Sequence, residues 1–189
     1  TVSVFDPINE LPLTESSYKK SSSPYGAGKL AVENYCNSFS RTYGIDTRIA
    51  RIFNTYGPRM DIDDGRAVPA FMTQAIRGRP LTVYGDGSQT RSFCHIEDTV
   101  EGLFKLLTFQ LASTIDGARP LVVNIGNPEE VTVLQVAREI IRVTDSKSAV
   151  EFGPSLPDDP RTRRPDISLA RNLLGWKPKL GRLEGLKMV

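Results

Sequence analysis

At 189 residues, 39% of them hydrophobic and 24% charged, the chain has the size of roughly one to one and a half domains and an ordinary globular composition. Its formal net charge of +2 is too small to make nucleic acid or a membrane surface the main partner. A single histidine argues against a His-rich metal site or a His-based triad within the chain, and Cys36 and Cys94 stand alone without metal-ligand spacing. No metal is expected. The two cysteines read as reduced, packed thiols, with one disulfide between them left open. No run of about 18 apolar residues suggests a membrane span, and no signal peptide is read.

Thr1–Phe5, small and β-branched, reads as the end of a strand, followed by a polar loop over residues 6–23. Ser23-Pro24-Tyr25-Gly26-Ala27-Gly28-Lys29 then opens a helix, since the missing N–H of Pro24 would find no partner at a helix start anyway. Leu30, Val32, Tyr35, Cys36 and Phe39 continue an imperfect helical stripe to about Tyr43, where Gly44 suits a C-terminal cap. Tyr25 and Lys29 therefore lie one turn apart on one face. An ammonium beside a phenol stabilises the phenolate, lowering its pKa from about 10 and making it a usable acid or base near neutrality. The same spacing often arises by chance on a solvated helix, so the pair alone does not establish chemistry.

Asp46–Phe53 has strand composition and Asn54–Arg59 follows as a loop. A strand–helix–strand order suits a parallel α/β sheet, whose ligands gather at the carboxyl ends of strands, where Asn54 falls. Next come an acidic loop over residues 60–65, a helix over Val68–Arg77 begun at Pro69, and a strand at Leu81–Tyr84 closed by the turn Gly85-Asp86-Gly87-Ser88. A further strand is expected at Arg91–Ile96 and a helix at Ile96–Leu107. Leu121–Ile125 is strand-like, Gly126-Asn127-Pro128 forces a turn, and Val131–Val143 is helical with Thr132 as N-cap. The loop over 155–165 holds the densest basic cluster, Arg161, Arg163 and Arg164. Ile167–Leu174 reads as a short helix closed by Gly175, and Leu183–Val189 begins another. His95 reads as a packed histidine, Tyr84 equally as core or binding wall, and Gly57, Gly85 and Gly87 as turn glycines.

Several stretches together resemble the extended short-chain dehydrogenase/reductases that act on nucleotide sugars. These are Tyr25-x-x-x-Lys29, the run from Arg51 to Arg59, the run from Tyr84 to Phe93, and Leu174-Gly175-Trp176-x-Pro178. Asp64-Gly65-Arg66, residues 87–91, Asp158-Asp159-Pro160 and Arg163-Arg164-Pro165-Asp166-Ile167 are most similar to the UDP-glucuronate decarboxylase branch. The resemblance implies an α/β fold, the C-terminal part of a Rossmann-like parallel sheet plus a small mixed α/β substrate-binding domain. Residues 1–59 would belong to the first, and 60–189 mainly to the second with some segments returning to the sheet. It implies NAD as cofactor and a UDP-sugar as substrate. Tyr25, Lys29 and Thr1 would be catalytic, with Tyr25, Lys29, Thr55 and Arg66 on the cofactor side. Asn54, Val83, Tyr84, Arg91 and Arg163 would bind substrate, the arginines gripping the diphosphate. The whole protein would be a homodimer, cytoplasmic or alternatively in a secretory (Golgi) lumen; no nucleic acid is expected as partner, and no membrane contact for this segment.

Two departures qualify this. No glycine-rich turn follows a strand and no acidic residue stands about 20 positions on; both are expected ahead of Thr1, so the chain by itself is expected neither to bind NAD well nor to turn over. Ser3 stands where the decarboxylases and the 4,6-dehydratases carry Glu, which weakens dehydration and leaves UDP-hexose 4-epimerisation as the enzymatic rival. A non-catalytic fragment that binds a nucleotide sugar or a partner chain is the rival from another class. The glycine usual between Phe5 and Asp6 in that family is also missing.

Overall fold

The computed structural model describes residues 1–5, 11–21, 23–110, 120–155 and 162–189. A 3-10 turn (Val2–Val4) is followed by α1 (Pro24–Tyr43), β1 (Arg48–Ile52), β2 (Thr55–Tyr56), α2 (Ala67–Ile76), β3 (Leu81–Tyr84), β4 (Thr90–Ser92) and β5 (Cys94–His95). Then come α3 (Ile96–Thr108), β6 (Leu121–Ile125), β7 (Glu130–Thr132), α4 (Val133–Val143), β8 (Val150–Gly153), α5 (Ser168–Leu174) and α6 (Arg182–Lys187).

The α1 helix forms as its ends dictate. The Ser23 hydroxyl accepts from the Gly26 N–H at 3.1 Å, Pro24 occupies the first turn, and Gly44 closes the helix in the left-handed conformation at φ 66°. The strand β1 pairs in parallel with β6, from Arg48 opposite Leu121 to Ile52 opposite Ile125. β3 pairs in parallel with β8, β2 in parallel with β5, and β4 antiparallel with β7.

Local chemistry differs from the sequence expectation in five places. Thr1–Phe5 is not extended: the Thr1 side chain accepts from the Ser3 N–H and caps a 3-10 turn, while Phe5 bridges to Lys20. The Asn54–Arg59 loop contains β2. The expected Arg91–Ile96 strand is two, β4 and β5, which turn to different partners on either side of Phe93. The α2 helix starts at Ala67, two residues before Pro69. The strands β7 and β8 were hidden, because three or four residues show little alternation.

The buried side chains form three clusters. Tyr56, Phe71, Leu81, Val83, Val136 and Ile140 pack where α2 and α4 cover β3. Leu106, Val123, Ile125 and Trp176 pack where α3 and α5 cover β6. Val2, Val4, Phe5, Leu13 and Phe53 pack beneath the 3-10 turn. Each fully buried aliphatic side chain contributes about 1.5–3 kcal/mol. The α4 helix carries a capping box between Thr132 and Gln135, and Arg182 of α6 pairs with Glu139 of α4 at 2.7 Å. Among the described residues no helix is long and apolar enough to cross a membrane.

Candidate active site

At the carboxyl end of β1 the three clusters leave a cleft of about 700 Å³. One wall is the first turn of α1, with Tyr25 and Lys29; the Lys29 ammonium lies 5.4 Å from the centre of the Tyr25 ring. Tyr25 is 59% exposed, so its phenol is open to the cleft. Gly26 permits this placement. A Cβ there would collide with the Ser21 hydroxyl and the Ser3 carbonyl oxygen, so only glycine lets α1 start this close to the turn bearing Thr1 and Ser3. Both of those residues also line the cleft.

The floor is Phe53-Asn54-Thr55, where β1 ends. The Thr55 hydroxyl donates to the Phe53 carbonyl at 3.2 Å and lies 3.2 Å from the Thr99 hydroxyl. The opposite wall comes from the start of α2, from Thr82, Tyr84, Arg91 and Phe93, and from Val133 and Arg163. Arg91 is only 9% exposed and donates from Nη1 to the Thr90 carbonyl at 2.7 Å. Arg66 reaches the rim in a two-pronged pair with Asp64; that carboxylate raises the guanidinium pKa, and Tyr25 adds a smaller effect in the same direction.

Nine of the ten sequence-predicted site residues, Thr1, Tyr25, Lys29, Asn54, Thr55, Arg66, Tyr84, Arg91 and Arg163, thus share one cavity. The tenth does not. Val83 is fully buried in the core beside Leu81, because alternation along β3 turns it away from the side that Tyr84 presents. The Thr1 hydroxyl is engaged with Ser3, accepting from its N–H at 3.3 Å and donating to its Oγ at 3.4 Å. His95 lies in the core at 1% exposure, accepting from the Glu97 N–H and edge-on to Tyr56 at 5.4 Å. Both cysteines are free, and burial pushes the Cys94 thiol up to about 11. Asp158-Asp159-Pro160 and Arg161 lie outside the described residues.

A larger hollow of about 1030 Å³ lies on the far side of Tyr84 and Gln89. Among the described residues its lining has no lysine or arginine, whereas Lys29, Arg66, Arg91 and Arg163 all line the cleft, which suits a diphosphate.

Sequence reasoning missed what holds the α1 wall. Glu33 faces the sheet from α1 and is bound by Arg51 and Lys19. Burial is the largest single influence on its carboxyl and raises its pKa, but the hydrogen bonds and positive charges of Arg51 and Lys19 together outweigh it and the net shift is downward. The signal was present: Tyr25, Lys29 and Glu33 are spaced by four, and each such step turns about 40° round a helix, carrying Glu33 toward the strand.

A family model described as the NAD dependent epimerase/dehydratase family matches residues 1–126. The chain is 48% identical over 162 residues to UDP-glucuronic acid decarboxylase 1 of Arabidopsis thaliana, covering 86% of this chain and 35% of that protein. To UDP-glucuronic acid decarboxylase 1 of Danio rerio it is 45% identical, covering 86% of this chain and 37% of that protein. It therefore spans about a third of the length of these two relatives. UDP-glucuronic acid 4-epimerase from Bacillus cereus, solved with UDP-glucuronic acid and NAD, superimposes with a TM-score of 0.87 at 30% identity, over 100% of this chain and 57% of that one.

Proposed function

Because the chain belongs to the NAD dependent epimerase/dehydratase family, we propose that its cleft is the substrate side of a site that oxidises a UDP-sugar at C4. The reaction we assign to it is decarboxylation of UDP-glucuronate to UDP-xylose through a 4-keto sugar. The observation that carries this reading is that Tyr25 and Lys29 open into the same cavity as Asn54, Arg91 and Arg163. The decarboxylase names of relatives such as those of A. thaliana and D. rerio support the choice of reaction.

The donors present suit the nicotinamide ribose and diphosphate of NAD: the Lys29 ammonium, the Tyr25 phenol, the Thr55 hydroxyl and the exposed Arg66 guanidinium. No glycine-rich strand-to-helix turn occurs in the sequence to hold the adenosine end. When bound, NAD would supply hydride acceptance and return at C4. In this reading the Tyr25 phenolate, steadied by Lys29, removes the 4-hydroxyl proton, and Thr1, which lines the same cleft, would bond the same oxygen. With C4 a ketone, the carboxylate at C5 is a β-keto acid. Loss of CO₂ would send its bonding electrons into the ketone as an enolate, a proton would be taken up at C5, and hydride return to C4 would give the pentose. Arg91 and Arg163 hold the diphosphate through N–H donors suited to phosphate oxygens, and Asn54 bonds the diphosphate or the sugar.

One observation favours a second reading. Ser3, not a carboxylate, lines the cleft beside Thr1, and epimerisation at C4 needs no acid there. Incubation of the intact protein with UDP-glucuronate and NAD separates the two, since CO₂ and UDP-xylose mark decarboxylation and UDP-galacturonate marks epimerisation. Tyr25→Phe is expected to lower either rate by about 10²-fold or more while UDP affinity stays unchanged. UDP binding with neither product would leave a non-catalytic binder and overturn both enzymatic readings.

We also propose that the whole protein pairs with a second copy through α1. Support comes from the exposed stripe of Val32, Tyr35, Phe39 and Tyr43, between 47% and 69% exposed, on the face turned from the sheet.

A further inference from the structure

We propose that Asn124, a residue outside the cleft, is a positioning residue for Arg163; the inference rests on reading Arg163 as a ligand of the diphosphate. Asn124 lies in β6 opposite Arg51 and is fully buried. Its Nδ2 donates to the Leu13 carbonyl at 2.9 Å and to the Asp166 carbonyl at 3.2 Å, and its backbone N–H donates to Glu15 Oε1 at 2.8 Å. Its Oδ1 has no partner among the described residues, so the amide acts here as a donor alone.

The two carbonyls it grips belong to paired segments. Leu13 bridges to Pro165 in parallel, its N–H donating to the Arg164 carbonyl and its own carbonyl accepting from the Asp166 N–H, both at 2.8 Å. One amide thus clamps both sides of the bridge that begins directly after Arg163. On the other side the buried Ser92 donates from Oγ to the Arg163 carbonyl at 3.1 Å. The backbone around Arg163 is therefore tied to β6 through Asn124 and to β4 through Ser92. β4 also carries Arg91, so the two cleft arginines hang from one hydrogen-bonded frame.

The spacing of two guanidinium groups around a diphosphate has to be held to fractions of an ångström for paired N–H···O bonds to form. A hydrophobic residue at position 124 would fill the space, strand the Asp166 carbonyl and leave the Leu13 carbonyl with the Asp166 N–H alone, loosening the tie of residues 163–166 to β6. Asn124 thereby sets the affinity of the cleft without touching ligand.

The test is a double-mutant cycle on UDP affinity, measured by calorimetry on the intact protein with Asn124→Leu, Arg163→Ala and the pair. Asn124→Leu is expected to raise the Kd for UDP about tenfold, the size of one charge-assisted hydrogen bond, and to have less than about a twofold effect once Arg163 is Ala. Ser92→Ala, a smaller disturbance of the fold, is expected to show the same dependence on Arg163 and stands in should Asn124→Leu not fold. Equal factors in both backgrounds overturn the positioning role and leave the diphosphate reading intact. Failure of the unaltered protein to bind UDP overturns that reading, and this inference with it.

Discussion

Arg51 of β1 donates from Nε and Nη2 to the two carboxylate oxygens of Glu33 on α1, at 2.8 and 2.9 Å, with both side chains buried. The remaining partners are in place as well. Lys19 reaches Glu33 at 3.0 Å, Arg51 Nη1 donates to the Glu15 carbonyl at 2.7 Å, and the guanidinium lies 5.0 Å from the centre of the Phe5 ring. The pair fixes the helix that carries Tyr25 and Lys29 against the strand that ends at Asn54.

Glu33→Gln keeps the shape but leaves a buried guanidinium without its counter-charge, which costs about 3–5 kcal/mol. Urea unfolding is expected to show a loss in that range, and Glu33→Leu with Arg51→Met is expected to recover most of it, since removing both charges removes the desolvation cost too. A single-variant loss under about 1 kcal/mol would mean that the pair lies in effective contact with solvent.

The same carboxylate sets an acid limit. The Glu33 pKa is lowered in the folded chain, so its stabilisation is fully present above the unfolded value of about 4.3. It is lost as pH falls through the lower folded value. The stability gap between the unaltered chain and Glu33→Gln should stay level from pH 7 to about pH 5 and narrow below it. A gap that widened toward acid would reverse the sign and remove Glu33 as its source.

Much of this arrangement was legible in residues alone. Ser23, Pro24 and Gly44 mark α1 because caps are local chemistry, and the family resemblance named Tyr25, Lys29, Asn54, Arg91 and Arg163, which line one cavity. What stayed hidden depends on partners distant in sequence. Asn124 looks like any strand residue until Leu13 and Asp166 arrive beside it. Val83 sits next to Tyr84 in sequence, yet strand alternation sends one into the core and the other to the cleft. Thr1–Phe5 has strand composition, but the cap formed by its own Thr1 outweighs that preference.

Two helical glycines are predicted to respond in opposite ways to alanine. Among the described residues nothing lies within 4 Å of a Cβ added at Gly28, so Gly28→Ala should stabilise by about 1 kcal/mol through helix propensity. At Gly102 the added Cβ would fall 2.9 Å from Trp176 Cε2 and 3.1 Å from Ile125 Cγ2. Trp176 cannot yield easily, as it is buried and its Nε1 donates to the Asp98 carbonyl at 2.9 Å. Overpacking of about 1–3 kcal/mol should cancel or exceed the propensity gain there. Thermal unfolding of the two variants decides it; equal shifts would show that the α3–Trp176 contact gives way.

The α1 stripe makes a prediction about assembly. Tyr35→Glu with Phe39→Glu places charge in the middle of the proposed contact while leaving the buried face of α1 untouched. Sedimentation of the intact protein should show a dimer converted to monomer. A dimer that survived both charges would have to use another surface.

Ser3 is where the proposed chemistry is most exposed to test. Its hydroxyl lies beside Thr1 in the cleft, and a hydroxyl has far too high a pKa to serve as acid or base near pH 7. Ser3→Glu introduces a carboxylate into the wall shared with Tyr25 and Lys29, where a nearby ammonium favours its ionised form. If decarboxylation is the native reaction and lacks only this group, CO₂ release from UDP-glucuronate should rise about 10²-fold in kcat. UDP affinity should hardly change, because the arginines that grip the diphosphate stand on the opposite wall. An unchanged kcat for CO₂ release would mean that decarboxylation needs no carboxylate here, whereas no CO₂ from either protein with UDP-galacturonate as product would make 4-epimerisation, which moves only the hydride and the proton handled by Tyr25, the better account of the cleft.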